Sequence, residues 1–272
     1  MYTARPLESK ITIPLLNKMK LQGEKFACMT AYDYSFARLM ERAGVEVILV
    51  GDSLGMVIQG HDTTLPVTVA DIEYHGRTVA RGLDHALLIL DMPFGSLNSQ
   101  QQALDNASLL IKNTGAQVVK LEGGITQIKT VETLRKYNIP VCAHIGLQPQ
   151  SVHKMGGYRV QGRDHDSAIE MKDAALQLQE AGADLLLLEC VPAPLAGDIS
   201  RMLHIPVIGI GAGAECDGQI LVVQDALGIT EGNTPSFSKN YMQQQHSIED
   251  AIRDYVSEVK NGIFPDQSHS FS

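Results

Sequence analysis

Cysteine is scarce and scattered in this chain of 272 residues: Cys28, Cys142, Cys190 and Cys216 lie far apart, and no two have CxxC spacing. Each sits in or beside an apolar run, so reduced thiols of a cytoplasmic protein are expected, not a disulfide framework or a zinc knuckle. Runs of Lys or Arg are absent as well. With 22 basic and 31 acidic side chains the net charge is −9, which excludes nucleic acid as an expected partner. The N-terminal stretch has no apolar core of signal-peptide length. The longest apolar runs are strand-sized, short of the about 20 residues that a membrane helix requires, so no membrane association is expected. No Pro/Ser-rich linker or break in composition divides the chain. A single domain over 1–272 is expected, with 1–10 and 265–272 as loosely held ends and 246–261 as a C-terminal helical segment. At this length folding buries roughly three quarters of the extended surface, so neither disulfide nor structural metal is needed for the fold.

What the sequence does have is a repeat of short, β-branched-rich apolar runs: Phe26 to Thr30, Val45 to Val50, Ala86 to Leu90, Val118 to Leu121, Pro140 to Ala143, Leu185 to Leu188, Val207 to Ile210 and Ile220 to Val223. Amphipathic segments separate them, as in βα units of a parallel sheet. Phe36, Leu39, Met40 and Ala43 share one helical face, as do Ala103, Ala107, Leu110 and Ile111. Thr68 with Asp71, and Ser99 with Gln102, have capping-box spacing, and Asp33 stands where an N-cap is expected. Gly44, Gly115 and Gly182 each end a helix just before a strand. Eight such units close most economically into a (β/α)8 barrel, whose usual size is about 250 residues; a doubly wound open sheet is the alternative.

Five consecutive strands end in a polar residue: "VILVGD" at Asp52, "LLILD" at Asp91, "VVKLE" at Glu122, "PVCAH" at His144 and "LLLLE" at Glu189. Any one such acid reads as a helix cap or turn former. In a parallel barrel, however, all five converge on the C-terminal face where catalytic groups gather. Carboxylates crowded there repel unless a cation joins them, and an all-oxygen set favours Mg²⁺ over zinc. Lys120 lies two residues before Glu122 and so shares its inward face. It is a structural ion pair, a Schiff-base nucleophile or a charge clamp for an anionic substrate. His144 is either a satisfied core histidine or part of the site. His144 to Ser167, long and glycine-rich, reads as a lid or binding loop with Gly156 and Gly157 as hinges, and with Arg159 and Arg163 facing an anion or a neighbouring subunit. Gly209 to Gln219 resembles a barrel phosphate turn, although tight turns would account for its glycines equally well.

Ten blocks in order, "TAYDYSFA", "VGDSLGM", "QGHDTTLPVTVADIEYH", "DMPFGS", "VKLEGG", "HIGLQPQS", "GGYRVQGR", "LLLLECVP", "VIGIGAG" and "CDGQILV", together resemble the ketopantoate hydroxymethyltransferases, from about Phe26 to Pro265. The resemblance implies a (β/α)8 barrel that transfers a one-carbon unit from 5,10-methylenetetrahydrofolate to 3-methyl-2-oxobutanoate in pantothenate synthesis. It also implies one Mg²⁺ per subunit and a homodecamer. By motif, Asp52, Asp91 and Glu122 resemble the metal residues, bound directly or through water. Ser53 with Asp52, Asp91 and Lys120 resembles the ketoacid-binding set, and Glu189 resembles the general base. The chain departs from the family pattern at Leu97, where Tyr is frequent, at Ala143, where Gly is usual, and at Gln224, where His is common.

The chemistry suits these residues. A 2-oxoacid chelates Mg²⁺ through its carboxylate and ketone, and the ion stabilises the charge that develops as the C3 proton leaves to Glu189; the enolate then attacks the folate methylene. Lys120 would act as a charge clamp. Two other classes remain at this point. A relative of isocitrate lyase or phosphoenolpyruvate mutase would be expected to carry a catalytic-loop cysteine, and a catalytically silent barrel would have no use for intact acids at its strand ends.

Overall fold

The computed structural model describes residues 1–157, 159–232 and 234–272. Eight parallel strands form a closed barrel in sequence order: β1 Phe26–Thr30, β2 Val47–Val50, β3 Leu87–Asp91, β4 Val118–Glu122, β5 Val141–Gly146, β6 Leu185–Glu189, β7 Val207–Ile210 and β8 Gly218–Leu221. The helices are α1 Ile13–Gln22, α2 Tyr34–Ala43, α3 Leu54–Val57, α4 Val69–Ala80, α5 Gln100–Thr114, α6 Ile128–Lys136, α7 Val152–Met155, α8 His165–Ala181, α9 Ala193–Met202, α10 Val223–Ala226 and α11 Ile248–Lys260. Closure onto β1 excludes the open doubly wound alternative.

Strand alternation divides the core in two. Val47, Leu49, Leu87, Ile89, Val118, Cys142, Leu185, Leu187 and Ile208 fill the barrel interior, which Leu16 and Met19 of α1 plug from below. The residues between them, such as Ile48, Leu88, Val119, Ala143 and Leu186, pack outward against the helices. A period of two sorts the same strand into these two environments.

Local signals explain most helix ends. Thr68 and Asp71 form a reciprocal capping box on α4, and Asp33 caps α2 through the Phe36 N–H. Gly44, Gly115 and Gly182 adopt left-handed conformations that terminate α2, α5 and α8. Ser99 caps the Gln102 N–H, but the Gln102 side chain accepts from Asn98 N–H, so this box is only half made. The last strand starts earlier than its apolar run: Gly218 and Gln219 belong to it, and Val223 begins α10. Gly218 belongs there because a Cβ would fall 2.3 Å from the Phe26 ring on the neighbouring strand.

Both chain ends make contacts with the rest of the molecule. Asn261 accepts from the Tyr2 N–H and donates to its carbonyl, and Ala4 is buried. At the other end Phe271 accepts from the Ala193 N–H and packs edge-on against Phe237. Apolar contacts at both ends offset the ordering entropy that polar tails cannot recover. In α11 the buried Tyr255 hydroxyl lies 2.8 and 2.7 Å from the carbonyls of Cys28 and Gln219, tying the helix to the β1–β8 seam.

Candidate active site

Alternation carries the inward face of each strand to its C-terminal end. After Leu87 and Ile89 comes Asp91; after Val118 come Lys120 and Glu122; after Cys142 comes His144; after Leu185 and Leu187 comes Glu189. Register aligns them around the mouth, with Asp91 beside Lys120, Glu122 beside His144 and Gly146 beside Glu189. Asp52 arrives differently, from the turn beyond β2, where its N–H donates to Asp91 Oδ2 at 3.2 Å. Asp52, Ser53, Asp91, Lys120, Glu122 and Glu189 line a cavity of about 1000 Å³ that opens on the C-terminal face, whereas His144 is buried and outside its lining.

A chain of charge runs across the mouth. Lys120 Nζ sits 2.6 Å from Asp91 Oδ2 and 3.7 Å from Glu122 Oε1. His144 Nδ1 lies 3.4 Å from Glu122 and its Nε2 lies 3.3 Å from Glu189. Neither ring nitrogen meets hydrogen-bond geometry, so these are electrostatic contacts. Burial disfavours the charged forms of both cations, but the surrounding acids outweigh it. Lys120 is raised above its ordinary value, and His144 is pushed up to about 9. Burial also pushes Glu122 up, yet His144, Lys120 and the Gln150 N–H together hold it below the usual carboxylate range. Asp52 goes the other way: burial and the Asp91 charge raise it well above the ordinary value, against the pull of Lys120.

Gln150 is a participant that no periodicity announces. Its backbone N–H donates to Glu122 Oε2 at 3.1 Å, and its amide nitrogen donates to Asp52 Oδ2 at 3.0 Å and to the Met92 carbonyl at 3.1 Å. It lies in the short 3₁₀ turn Pro149–Ser151 beyond β5, where only the fold reveals what it meets. Ser53 pairs with the Tyr32 hydroxyl at 2.8 Å, another contact invisible to spacing. The segment read as one long loop is shorter than expected, because His144 to Gly146 extend β5, α7 follows, and Asp164 caps α8. Gly156 and Gly157 have positive φ, while Arg159 and Arg163 are exposed and outside the residues that line the cavity. Tyr158 of "GGYRVQGR" lies outside the described residues.

The donor set fits a hard divalent cation with few protein ligands. Asp91 Oδ1 and Glu122 Oε1 are buried without a hydrogen-bond partner, and four carboxylates face one lysine and one histidine. Among the described residues no three His, Cys, Asp or Glu side chains form a ready-made metal cage. The unpartnered carboxylate oxygens are hard donors that suit Mg²⁺, which is typically held by one or two carboxylates and keeps several waters, better than zinc.

Breaking the Lys120–Asp91 pair leaves a buried, uncompensated carboxylate. Lys120→Met is expected to destabilise the protein by about 3–5 kcal/mol, measured by denaturant unfolding in metal-free buffer. An unchanged midpoint would show that the pair carries no such weight.

A closed parallel barrel with its acids, lysine and histidine gathered at the C-terminal mouth has the architecture of a (β/α)8 enzyme. The chain belongs to the ketopantoate hydroxymethyltransferase family, whose model matches residues 10–267. It is 56% identical to the 3-methyl-2-oxobutanoate hydroxymethyltransferase of Shewanella sediminis, over 97% of this chain and 100% of that one. To the enzyme of the same name from Alkalilimnicola ehrlichii it is 55% identical, over 100% of this chain and 99% of the relative. Among solved structures, a putative phosphonomutase from Burkholderia cenocepacia superposes with a TM-score of 0.61 at 13% identity, covering 80% of this chain and 95% of that one. A 2,3-dimethylmalate lyase of the PEP mutase/isocitrate lyase superfamily gives 0.58 at 16%, covering 84% and 83%. At such identities the likeness is one of fold alone. The family is one of transferases, so the silent-barrel alternative falls away. Among the described residues no helix is long and apolar enough to cross a membrane.

Proposed function

We propose that this enzyme transfers the one-carbon unit of 5,10-methylenetetrahydrofolate to 3-methyl-2-oxobutanoate as a hydroxymethyl group, water supplying the hydroxyl oxygen, giving ketopantoate and tetrahydrofolate by an enolate, aldol-type bond formation. The reading draws on the relatives' name and on one observation: Glu189 faces the cavity across from a lysine anchored by acids. The Glu189 side chain is 17% exposed, against 4% for Glu122 and 1% for Asp91. It is the acid a substrate C–H can reach, whereas the others are committed to neighbours.

In this reading Asp52 and Asp91 hold Mg²⁺, with Glu122 acting directly or through water, and the ion supplies Lewis-acid stabilisation of negative charge on the ketoacid oxygens. Lys120 keeps its proton, because Asp91, Glu122 and Asp52 all favour the cation; a protonated lysine attracts the substrate carboxylate and is a poor Schiff-base nucleophile. The Ser53 hydroxyl, oriented by Tyr32, offers a further hydrogen bond to the ketoacid. Glu189 takes the C3 proton, and His144 positions it by holding its carboxylate from one side and Glu122 from the other. Gly146 lets the strands close at this point: a Cβ there would stand 2.3 Å from the Glu189 carbonyl oxygen. The cytoplasmic homodecamer implied by the family belongs to the same proposal, and sedimentation velocity tests it.

The deciding experiment is ketopantoate formation by the purified enzyme from the two named substrates, with and without Mg²⁺. No product with methylenetetrahydrofolate present would overturn the reading. Borohydride trapping of ketoacid on Lys120 would replace the charge clamp with a Schiff base.

A further inference from the structure

The cavity has a second half that the ketoacid chemistry leaves unused. The acids just described, with Ser53 and Lys120, line it from β2 to β6. The opposite wall follows β7 and β8 and is largely apolar, with Ile210, Ile220 and Ile229 joined by the rings of Phe237 and Phe271. Those two rings meet edge to face, with centroids 6.3 Å apart, and press against Gly211, where a Cβ would lie 2.9 and 3.0 Å from them.

Thr230, Glu231, Thr234 and Ser236 also line this side toward the opening, and two further polar side chains in it are buried. Asp225 is buried, 6% exposed, and one of its oxygens accepts from the Thr230 hydroxyl. Gln224 is 8% exposed, and its Oε1 is buried with no hydrogen-bond partner. Both line the cavity, and neither has a partner cation among the ion pairs of the described residues. A buried acceptor without a donor, as Gln224 Oε1 is, is costly unless a ligand supplies an N–H group, and a buried carboxylate with no partner cation has capacity for further donors beyond the Thr230 hydroxyl. Val223 N–H donates to Thr30 Oγ1, which fixes α10 against the end of β1 beside the acidic half.

We propose that Asp225 is the anchor for the co-substrate's ring, its carboxylate accepting the adjacent N–H donors of a 2-amino-4-oxo-pyrimidine edge while Phe237 and Phe271 form the apolar wall beside the fused ring. This inference rests on the proposed folate reading and deepens it. An amino-oxo-pyrimidine presents a ring N–H and an exocyclic NH₂ side by side, a pair that matches the two oxygens of a carboxylate. The second N–H of the amino group calls for another acceptor, and the orphaned Gln224 oxygen is available in the same cavity. An apolar pocket with a few placed polar groups is the usual form of a small-molecule site.

The test is a cycle that pairs a change in the ligand with a change in the protein. Binding of tetrahydrofolate and of its 2-desamino analogue is measured calorimetrically on the wild-type enzyme and on Asp225→Asn. The wild type is expected to prefer tetrahydrofolate by about tenfold or more, the scale of one or two charge-assisted hydrogen bonds, and Asp225→Asn is expected to lose most of that preference. Turnover is expected to show a raised KM for the folate with the KM for the ketoacid nearly unchanged. If the wild type binds tetrahydrofolate but does not distinguish the analogue, or if Asp225→Asn keeps the full preference, the assignment of Asp225 is overturned while the folate reading stands. If the wild type binds neither, the folate reading itself fails. Should Asp225→Asn not fold, Asp225→Glu, which keeps the charge but displaces the carboxylate, takes its place in the same cycle and is expected to lose most of the preference as well.

Discussion

Replacing Glu189 with glutamine is expected to slow exchange of the ketoacid C3 hydrogen with D₂O by about 10²–10⁴-fold, the usual contribution of a positioned general base. Glutamine keeps the shape and the ability to face His144 Nε2, now 3.3 Å from a Glu189 oxygen, but it cannot accept the proton. Because Lys120 and its two acids lie on other strands, ketoacid affinity should change little. The loss therefore belongs in kcat and in the exchange rate, with KM within a few fold. Near-normal exchange by Glu189→Gln, with metal still bound, would remove Glu189 from the base role. The other acids gathered at the strand ends, Asp91, Glu122 and Asp52, are all more deeply buried and already partnered.

Stripping divalent metal with EDTA is expected to abolish the same exchange, and Mg²⁺ is expected to restore it. A Lewis acid on the ketone oxygen contributes several kcal/mol to stabilising the developing charge, so the rate should fall by at least about a thousandfold at about 1.4 kcal/mol per factor of ten. The protein alone is not expected to take over that role: the lysine at the mouth is already shared between Asp91 and Glu122. Exchange indifferent to EDTA would mean that the buried, unpartnered oxygens of Asp91 and Glu122 serve only the lysine and the histidine. The two experiments read the same half-reaction, so their outcomes can be compared without the folate.

Much of the site is a matter of parity and was readable from the chain. Once a barrel is inferred, a polar residue two places beyond an inward-facing strand residue, at the strand's C-terminal end, lies in the mouth, as Asp91, Lys120, Glu122, His144 and Glu189 all do. The same local physics places Asp33, Thr68 and the glycines that end α2, α5 and α8, because a cap or a left-handed residue depends on atoms within a few positions. Resemblance to the family added roles that periodicity could not supply.

Other features depended on which distant segments meet. Gln150 stands in a short 3₁₀ turn four positions past the end of its strand, and its contacts with Asp52 and Glu122 lie 98 and 28 residues away in sequence. The packed ends are of the same kind: polar tails read as loose because nothing within them reveals that Phe271 finds Phe237 and that Asn261 binds Tyr2. His144 shows the division most clearly. Its place on the inner face follows from the alternation of β5, but its position between Glu122 and Glu189 depends on the register of three strands. Patterns of two and 3.6 residues, caps and turns are decided by near neighbours and so are written in the sequence by itself. The pairing of charges across the barrel mouth is decided by closure of the sheet, a long-range event that only the tertiary structure records.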